Sequence, residues 1–151
     1  MNVAQLCSRN VVTVRKTDEV VAAARLMREQ HVGYLVVIEP DFAGSTVRPI
    51  GVLTDRDIVV SIVARERDLR NLVVGDVMTQ NPVIVDQFDS ILTAVREMRR
   101  IGVRRMPGTG SLGELIGVLS LDDVLDSLAA ELQNLAGAVH NELRLETELR
   151  P

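Results

Sequence analysis

A chain of 151 residues with a net charge of −4, 46% hydrophobic residues and only 2% aromatics has room for one ordinary domain or two small halves sharing a core built from Val, Leu, Ile, Ala and Met. The acidic balance gives no general attraction to nucleic acid, because a phosphate-tracking surface needs a net basic face. A single cysteine, Cys7, excludes an internal disulfide and leaves zinc without its usual ligands. No apolar run has the length of a signal peptide or of a membrane span of about 18 residues, so a soluble, cytoplasmic protein without a membrane partner is expected.

In chain order, residues 11–14 read as a short apolar strand and residues 18–31 as an amphipathic helix with Asp18 at its start. Val20, Ala23, Ala24, Met27 and His31 recur at three and four along it, which puts them on one face. Tyr34 to Ile38 is β-rich, and the Gly-, Pro-, Ser- and Thr-bearing stretch 39–49 reads as a hairpin connection to a strand over 50–53. A helix begins at Thr54, and residues 65–76, with Arg65, Arg67, Asp68 and Arg70, read as a linker. The same order then recurs: a strand over 82–85, a helix over 89–101 with Ile91, Ala94, Val95 and Met98 on one face, a weaker β run over 103–107, a loop over 108–114, a strand over 115–119 and a helix from Ser120.

The duplication is written into the residues. Gly51-Val52-Leu53-Thr54-Asp55-Arg56-Asp57-Ile58-Val59 returns as Gly117-Val118-Leu119-Ser120-Leu121-Asp122-Asp123-Val124-Leu125. A shift of 71 lays Asp18 to Arg28 over Asp89 to Arg99 and Asn10 to Val14 over Asn81 to Val85, whereas the Gly-Val-Leu phrase shifts by only 66. The second unit has therefore lost five residues from its central loop, as expected of a tandem structural repeat. The expected organisation is a first repeat over 1–70, a second over 71–133 and a helical tail over 134–151.

Each copy of the phrase is a buried strand ending in a hydroxyl residue, with an Asp three positions on. One reading is a helix cap, in which the hydroxyl accepts from a backbone N–H and the carboxylate reaches back. The other uses the same geometry for a ligand: a helix N-terminus after a strand offers N–H groups and a positive dipole end to a phosphate, and the Asp can accept from the vicinal hydroxyls of a ribose. Nothing in the phrase selects a base.

The β-α-β-β-α order repeated twice, the Val-x-Thr-Val opening and the two Gly-Val-Leu-Thr/Ser phrases resemble the CBS domain, named after cystathionine β-synthase, in a stand-alone tandem pair of the bacterial type. The resemblance runs from about Val3 to Leu132. It implies an α/β (α+β) fold in which two repeats pack as one pseudo-twofold module. It also implies clefts between the halves for an adenosine-containing ligand such as AMP, ADP, ATP or S-adenosylmethionine, with no required cofactor. Carried over by residue, Asp57 and Asp123 match the ribose-binding Asp, and Thr54 and Ser120 the hydroxyl near ribose and phosphate. Thr13-Val14 and Ile84-Val85 match the strand flanking the base. Arg104 and Arg105 fall where basic phosphate contacts are often placed, and Arg56 lies near a helix start facing phosphate. Ile84 departs from the small hydroxyl residue usual in the opening strand, and the first repeat has Gly33-Tyr34 where the second has the arginine pair.

The arginines Arg96, Arg99 and Arg100 read as a solvated helix face. His31 and His140 lack a second ligand at metal spacing, Cys7 reads as a packed thiol, and no catalytic constellation is present. Leu121, Leu125, Leu128, Leu132, Leu135 and Val139 follow a four-three spacing, a heptad-like seam ahead of the charged stretch from Glu142 to Arg150. The sequence thus points to a homodimeric regulator that binds an adenine nucleotide and acts on a separate, unidentified protein. The alternative is an interaction module whose nucleotide sites have decayed.

Overall fold

A computed structural model of the chain describes residues 1–150. It opens with one helical turn, α1 (Val3–Leu6), held by a reciprocal cap: Gln5 N–H donates to Asn2 Oδ1 at 3.2 Å and Asn2 N–H to Gln5 Oε1 at 2.9 Å. The first unit then runs β1 (Thr13–Arg15), α2 (Val20–Gln30), β2 (Tyr34–Pro40), β3 (Val47–Thr54) and α3 (Asp55–Ile58). After a short strand β4 (Thr79–Gln80), the second runs β5 (Val85–Asp86), α4 (Ile91–Ile101), β6 (Arg105–Thr109), β7 (Leu115–Ser120) and α5 (Leu121–Leu149). This mixed α/β architecture, with two small sheets and a long final helix, is the fold class expected.

The opening strands are shorter and later than 11–14 and 82–85, and the helices start two residues after the aspartates expected at their heads. The reason is local. Asp18 Oδ2 accepts from Arg15 N–H at 2.7 Å and Asp89 Oδ2 from Asp86 N–H at 3.0 Å, so each carboxylate closes the turn before its helix instead of entering it. Both helices end on a left-handed residue, His31 at φ 55° and Gly102 at φ 77°, positions related by the 71-residue shift. α3 is brief because the helix widens into a single π turn over Val59–Val63, burying Ile62 and leaving Val59, Val60 and Val63 outside.

Each sheet begins with a parallel pair, β1 with β2 and β5 with β6, and continues antiparallel to β3 and β7. The edges are completed by segments from outside each unit's own run. β4 pairs with β3 at Gly51 and Val52, and Ser8 bridges to Val118 of β7. The cores follow the same exchange. Val74, from the end of the stretch 65–76, is buried with Val14, Ala23, Met27, Leu35, Val37 and Leu53 of the first unit. Val3 is buried with Val85, Ile91, Ala94, Met98, Met106, Leu119 and Val124 of the second. Val74 N–H donates to the Asp18 carbonyl and Gly75 N–H to that of Lys16, both at 2.8 Å, which ties the end of the stretch 65–76 into the first unit's turn. The N-terminal residues thereby become part of the second half, and the two halves are bound together by chain as well as by packing.

Candidate functional site

The doubled phrase owes its glycines to this exchange. A Cβ on Gly117 would stand 2.6 Å from the Ser8 carbonyl oxygen, and one on Gly51 would stand 3.0 Å from that of Thr79. The crossing segments therefore lie directly on the phrase; at Gly117 a side chain would run into backbone, and at Gly51 it would have to displace the Met78 side chain. Two residues on, Leu53 and Leu119 are fully buried and anchor the strand ends. Thr54 and Ser120 then cap α3 and α5.

The two caps differ. In the first unit the bond is reciprocal: Asp57 N–H donates to Thr54 Oγ1 at 3.1 Å and Thr54 N–H to Asp57 Oδ2 at 2.9 Å. In the second, Asp123 N–H donates to Ser120 Oγ at 3.1 Å, while the Ser120 hydroxyl itself donates to Asp123 Oδ2 at 2.5 Å. Oδ2 of Asp57 is thus held by a fixed backbone donor, whereas Oδ2 of Asp123 is held by a hydroxyl that can rotate towards another acceptor.

Ser120 and Asp123 border a cleft of about 300 Å³ between the two halves. One wall is the entering segment, with Ser8, Asn10, Val11 and Val12. A second is the turn between α2 and β2, from His31 to Tyr34. Val118 and Arg105 complete it. The lining pairs apolar valine surfaces with a carboxylate, a hydroxyl, a guanidinium and the N-terminus of a 29-residue helix. Such a mixture suits a flat heterocycle carrying a polyol and an anionic or polar tail. Arg105 is held with its guanidinium carbon 6.0 Å from the Tyr34 ring centroid. The Tyr34 hydroxyl is buried without a hydrogen-bond partner, and burial pushes the phenol well above its ordinary range.

Of the residues singled out in the sequence, Ser120, Asp123 and Arg105 come together here. Arg104 turns outward and pairs with Asp122 at 2.9 Å. Thr13 and Val14 border a separate groove of about 310 Å³ against α2, with Asp18, Arg25 and Glu29. Ile84 is 46% exposed ahead of β5, Val85 lies in the second core, and Arg56 is exposed on α3 beside the Thr54 and Asp57 cap. His31, expected on the packed face of its helix, is an exposed cap residue at the cleft because its left-handed backbone turns it off that face. Arg100 pairs with Glu97 on a solvated face, as the sequence suggested. Two signals for the remaining lining were present in the repeat: Asn10 aligns with Asn81, and Tyr34 with Arg105. Among the described residues no group of three or more His, Cys, Asp or Glu could hold a metal ion, and no helix is long and apolar enough to cross a membrane.

Comparison with known proteins agrees with this architecture. The CBS domain family matches residues 3–64 and 74–130. The chain belongs to that family, as a tandem pair. An uncharacterised protein of Methanopyrus kandleri is 31% identical over 126 residues, covering 83% of this chain; the chain spans only 61% of that relative's length. The structure of a putative signal-transduction protein with CBS domains from Burkholderia ambifaria superposes with a TM-score of 0.74 at 29% identity, covering 86% of this chain and 95% of the other. The CBS domain pair of protein MJ0100, in complex with 5′-methylthioadenosine and S-adenosylmethionine, shares the fold with a TM-score of 0.70 at 16% identity, over 85% of this chain and 99% of that one.

Proposed function

We propose that this CBS pair is a regulatory, non-enzymatic module that binds one adenosine-containing ligand, AMP, ADP, ATP or S-adenosylmethionine, in the cleft at Ser120 and Asp123. The observation that carries the reading is the convergence of Asp123, Ser120 and Arg105 on one cleft walled by Val11, Val12, Val32 and Val118. In it the Asp123 carboxylate accepts from the ribose hydroxyls and the valines sandwich the base. The α5 N-terminus and Arg105 face the 5′ substituent. A volume of about 300 Å³ fits a mononucleoside ligand better than a dinucleotide. The adenosine ligands bound by MJ0100 are in keeping with this chemistry.

Ser120 and Asp123 cap α5 itself, so occupancy acts directly on the start of the longest helix. A ligand that binds one arrangement of that cap better than another shifts the module between states, and a separate protein that reads α5 would receive the signal. The second reading, an interaction module with decayed sites, is favoured by one observation confined to the first unit: one oxygen of the Asp57 carboxylate, Oδ2, already accepts from Thr54 N–H.

Thermal unfolding against AMP, ADP, ATP and S-adenosylmethionine, with GTP and NAD as controls, tests the proposal. A ligand at about 100 times its dissociation constant adds roughly 2.7 kcal/mol and raises the midpoint by several degrees. Absence of a shift with every adenosine ligand would leave the interaction module as the reading.

A further inference from the structure

After Val124, α5 leaves the body of the protein. Every residue from Leu128 to Arg150 is exposed, yet the helix continues to Leu149, about 33 Å further at 1.5 Å per residue. An isolated helix of this kind is marginal in water, and its apolar stripe is too long to be a stray feature. Leu128, Leu132, Leu135, Val139 and Leu143 stand 49%, 66%, 65%, 57% and 60% exposed along one side.

We infer that α5 packs antiparallel against α5 of a second copy of this chain, centred between Leu135 and Ala136. This rests on the reading of the protein as a homodimer and adds its geometry. The charges decide the direction. From Leu121 to Val139 the helix carries four acids, Asp122, Asp123, Asp126 and Glu131, and no base; beyond it Arg144 and the C-cap Arg150 offset two of the three acids Glu142, Glu146 and Glu148, so the far half is much less acidic. In the antiparallel register Leu128 meets the partner's Leu143 and Leu132 meets the partner's Val139. Arg144 then falls between the partner's Asp126 and the partner's Glu131, and His140 lies opposite the partner's Glu131. A parallel pair would set acidic half against acidic half. It would also bring Glu142 and Glu146, which continue the three-four spacing beyond Val139, against their own copies in the seam. Ala129, Ala136 and Ala138 flank the stripe and permit close approach of the two helices.

Two exposed positions test the direction on the full chain. Antiparallel helices place a cysteine at 128 beside one at 143 of the partner, while two copies of position 128 stand about 22 Å apart, far beyond the roughly 7 Å limit for a disulfide. Leu128→Cys and Leu143→Cys are expected to form a mixed disulfide when co-expressed and none when produced singly, with peptide mass spectrometry identifying the linked residues. Native Cys7 is half-buried, with its thiol pushed up to about 11, and its peptides are distinguished in the same spectrum. Self-linked dimers of each single variant would overturn the antiparallel register and leave the homodimer standing. A dimer with no linkage in any combination would remove α5 from the interface. A monomeric wild type by sedimentation equilibrium would overturn the homodimer as well. Leu132→Glu, which touches neither core, is expected to shift the sedimentation mass to that of the monomer with thermal unfolding of the body retained.

Discussion

The Arg105 guanidinium carbon lies 6.0 Å from the centroid of the Tyr34 ring, and the two residues occupy equivalent positions of the two repeats. The pair therefore sits where the halves meet, on the pseudo-twofold relation between them, and both members border the cleft. An aromatic face that fixes the guanidinium prepays the ordering of a long side chain before an anion arrives. Arg105→Ala is expected to weaken AMP binding by about 10-fold or more, the scale of one lost charge-assisted contact, and adenosine binding by much less. Isothermal titration with both ligands checks this, and an equal loss for both would assign Arg105 to packing alone. Tyr34→Phe removes a buried hydroxyl that has no partner, so the ligand-free protein is expected to be at least as stable in urea.

The glycines of the repeated phrase give an ordered pair of outcomes. At Gly117 an added methyl meets backbone, the Ser8 carbonyl at 2.6 Å, whereas at Gly51 its nearest neighbour is the flexible Met78 thioether at 2.7 Å, with the Thr79 carbonyl at 3.0 Å. Gly117→Ala is expected to cost about 1–3 kcal/mol in urea unfolding, and Gly51→Ala less. Because Ser8 is also a cleft wall, Gly117→Ala should weaken ligand binding too.

The two helix ends make a reciprocal pair. His31 pays the steric cost of a left-handed backbone that Gly102 avoids. His31→Gly is expected to raise stability by roughly 0.5–1 kcal/mol and Gly102→Ala to lower it by about 1 kcal/mol, both read from chemical denaturation.

Burial raises the Cys7 thiol from 9.0 to about 11, with nearby Arg9 offsetting part of the effect. The folded state keeps its proton to higher pH than the unfolded chain does. Its stabilisation is therefore complete below pH 9 and is lost as the pH rises to about 11. Discounted for partial exposure, the effect is on the order of 1 kcal/mol. The stability gap between wild type and Cys7→Ser should narrow as the pH rises from 9.0 to about 11, and a gap independent of pH would show that the thiol's ionisation contributes nothing.

Periodicity found the helices and the duplication found the fold, because both are set by residues close in sequence. The exchange of Val3 and Val74 between cores was hidden in the same 71-residue shift, since Val3-x-x-Leu6 aligns with Val74-x-x-Val77, but the alignment alone does not say which sheet each copy joins. That choice is made by long-range packing against Gly51 and Gly117. In the site, the hydroxyl and Asp of each phrase were legible as a pair. Their divergence was not, because it depends on whether a backbone N–H or a rotatable hydroxyl takes the carboxylate. The entering segment from Ser8 to Val12 was legible only in part, with Val11 and Val12 read as strand: it has no regular secondary structure beyond the bridge of Ser8 to Val118, and it is placed at the cleft by that bridge and by Val36 N–H donating to the Val12 carbonyl.

In the proposed function Asp123 holds the sugar of an adenosine ligand in the cleft while Asp57 serves its helix. Isothermal titration of AMP and S-adenosylmethionine into wild type, Asp123→Ala and Asp57→Ala tests it most directly. The expected result is one site per chain, lost or weakened at least 10-fold in Asp123→Ala, and retained in Asp57→Ala at a stability cost of about 1 kcal/mol. Binding that survives Asp123→Ala and fails in Asp57→Ala would contradict it.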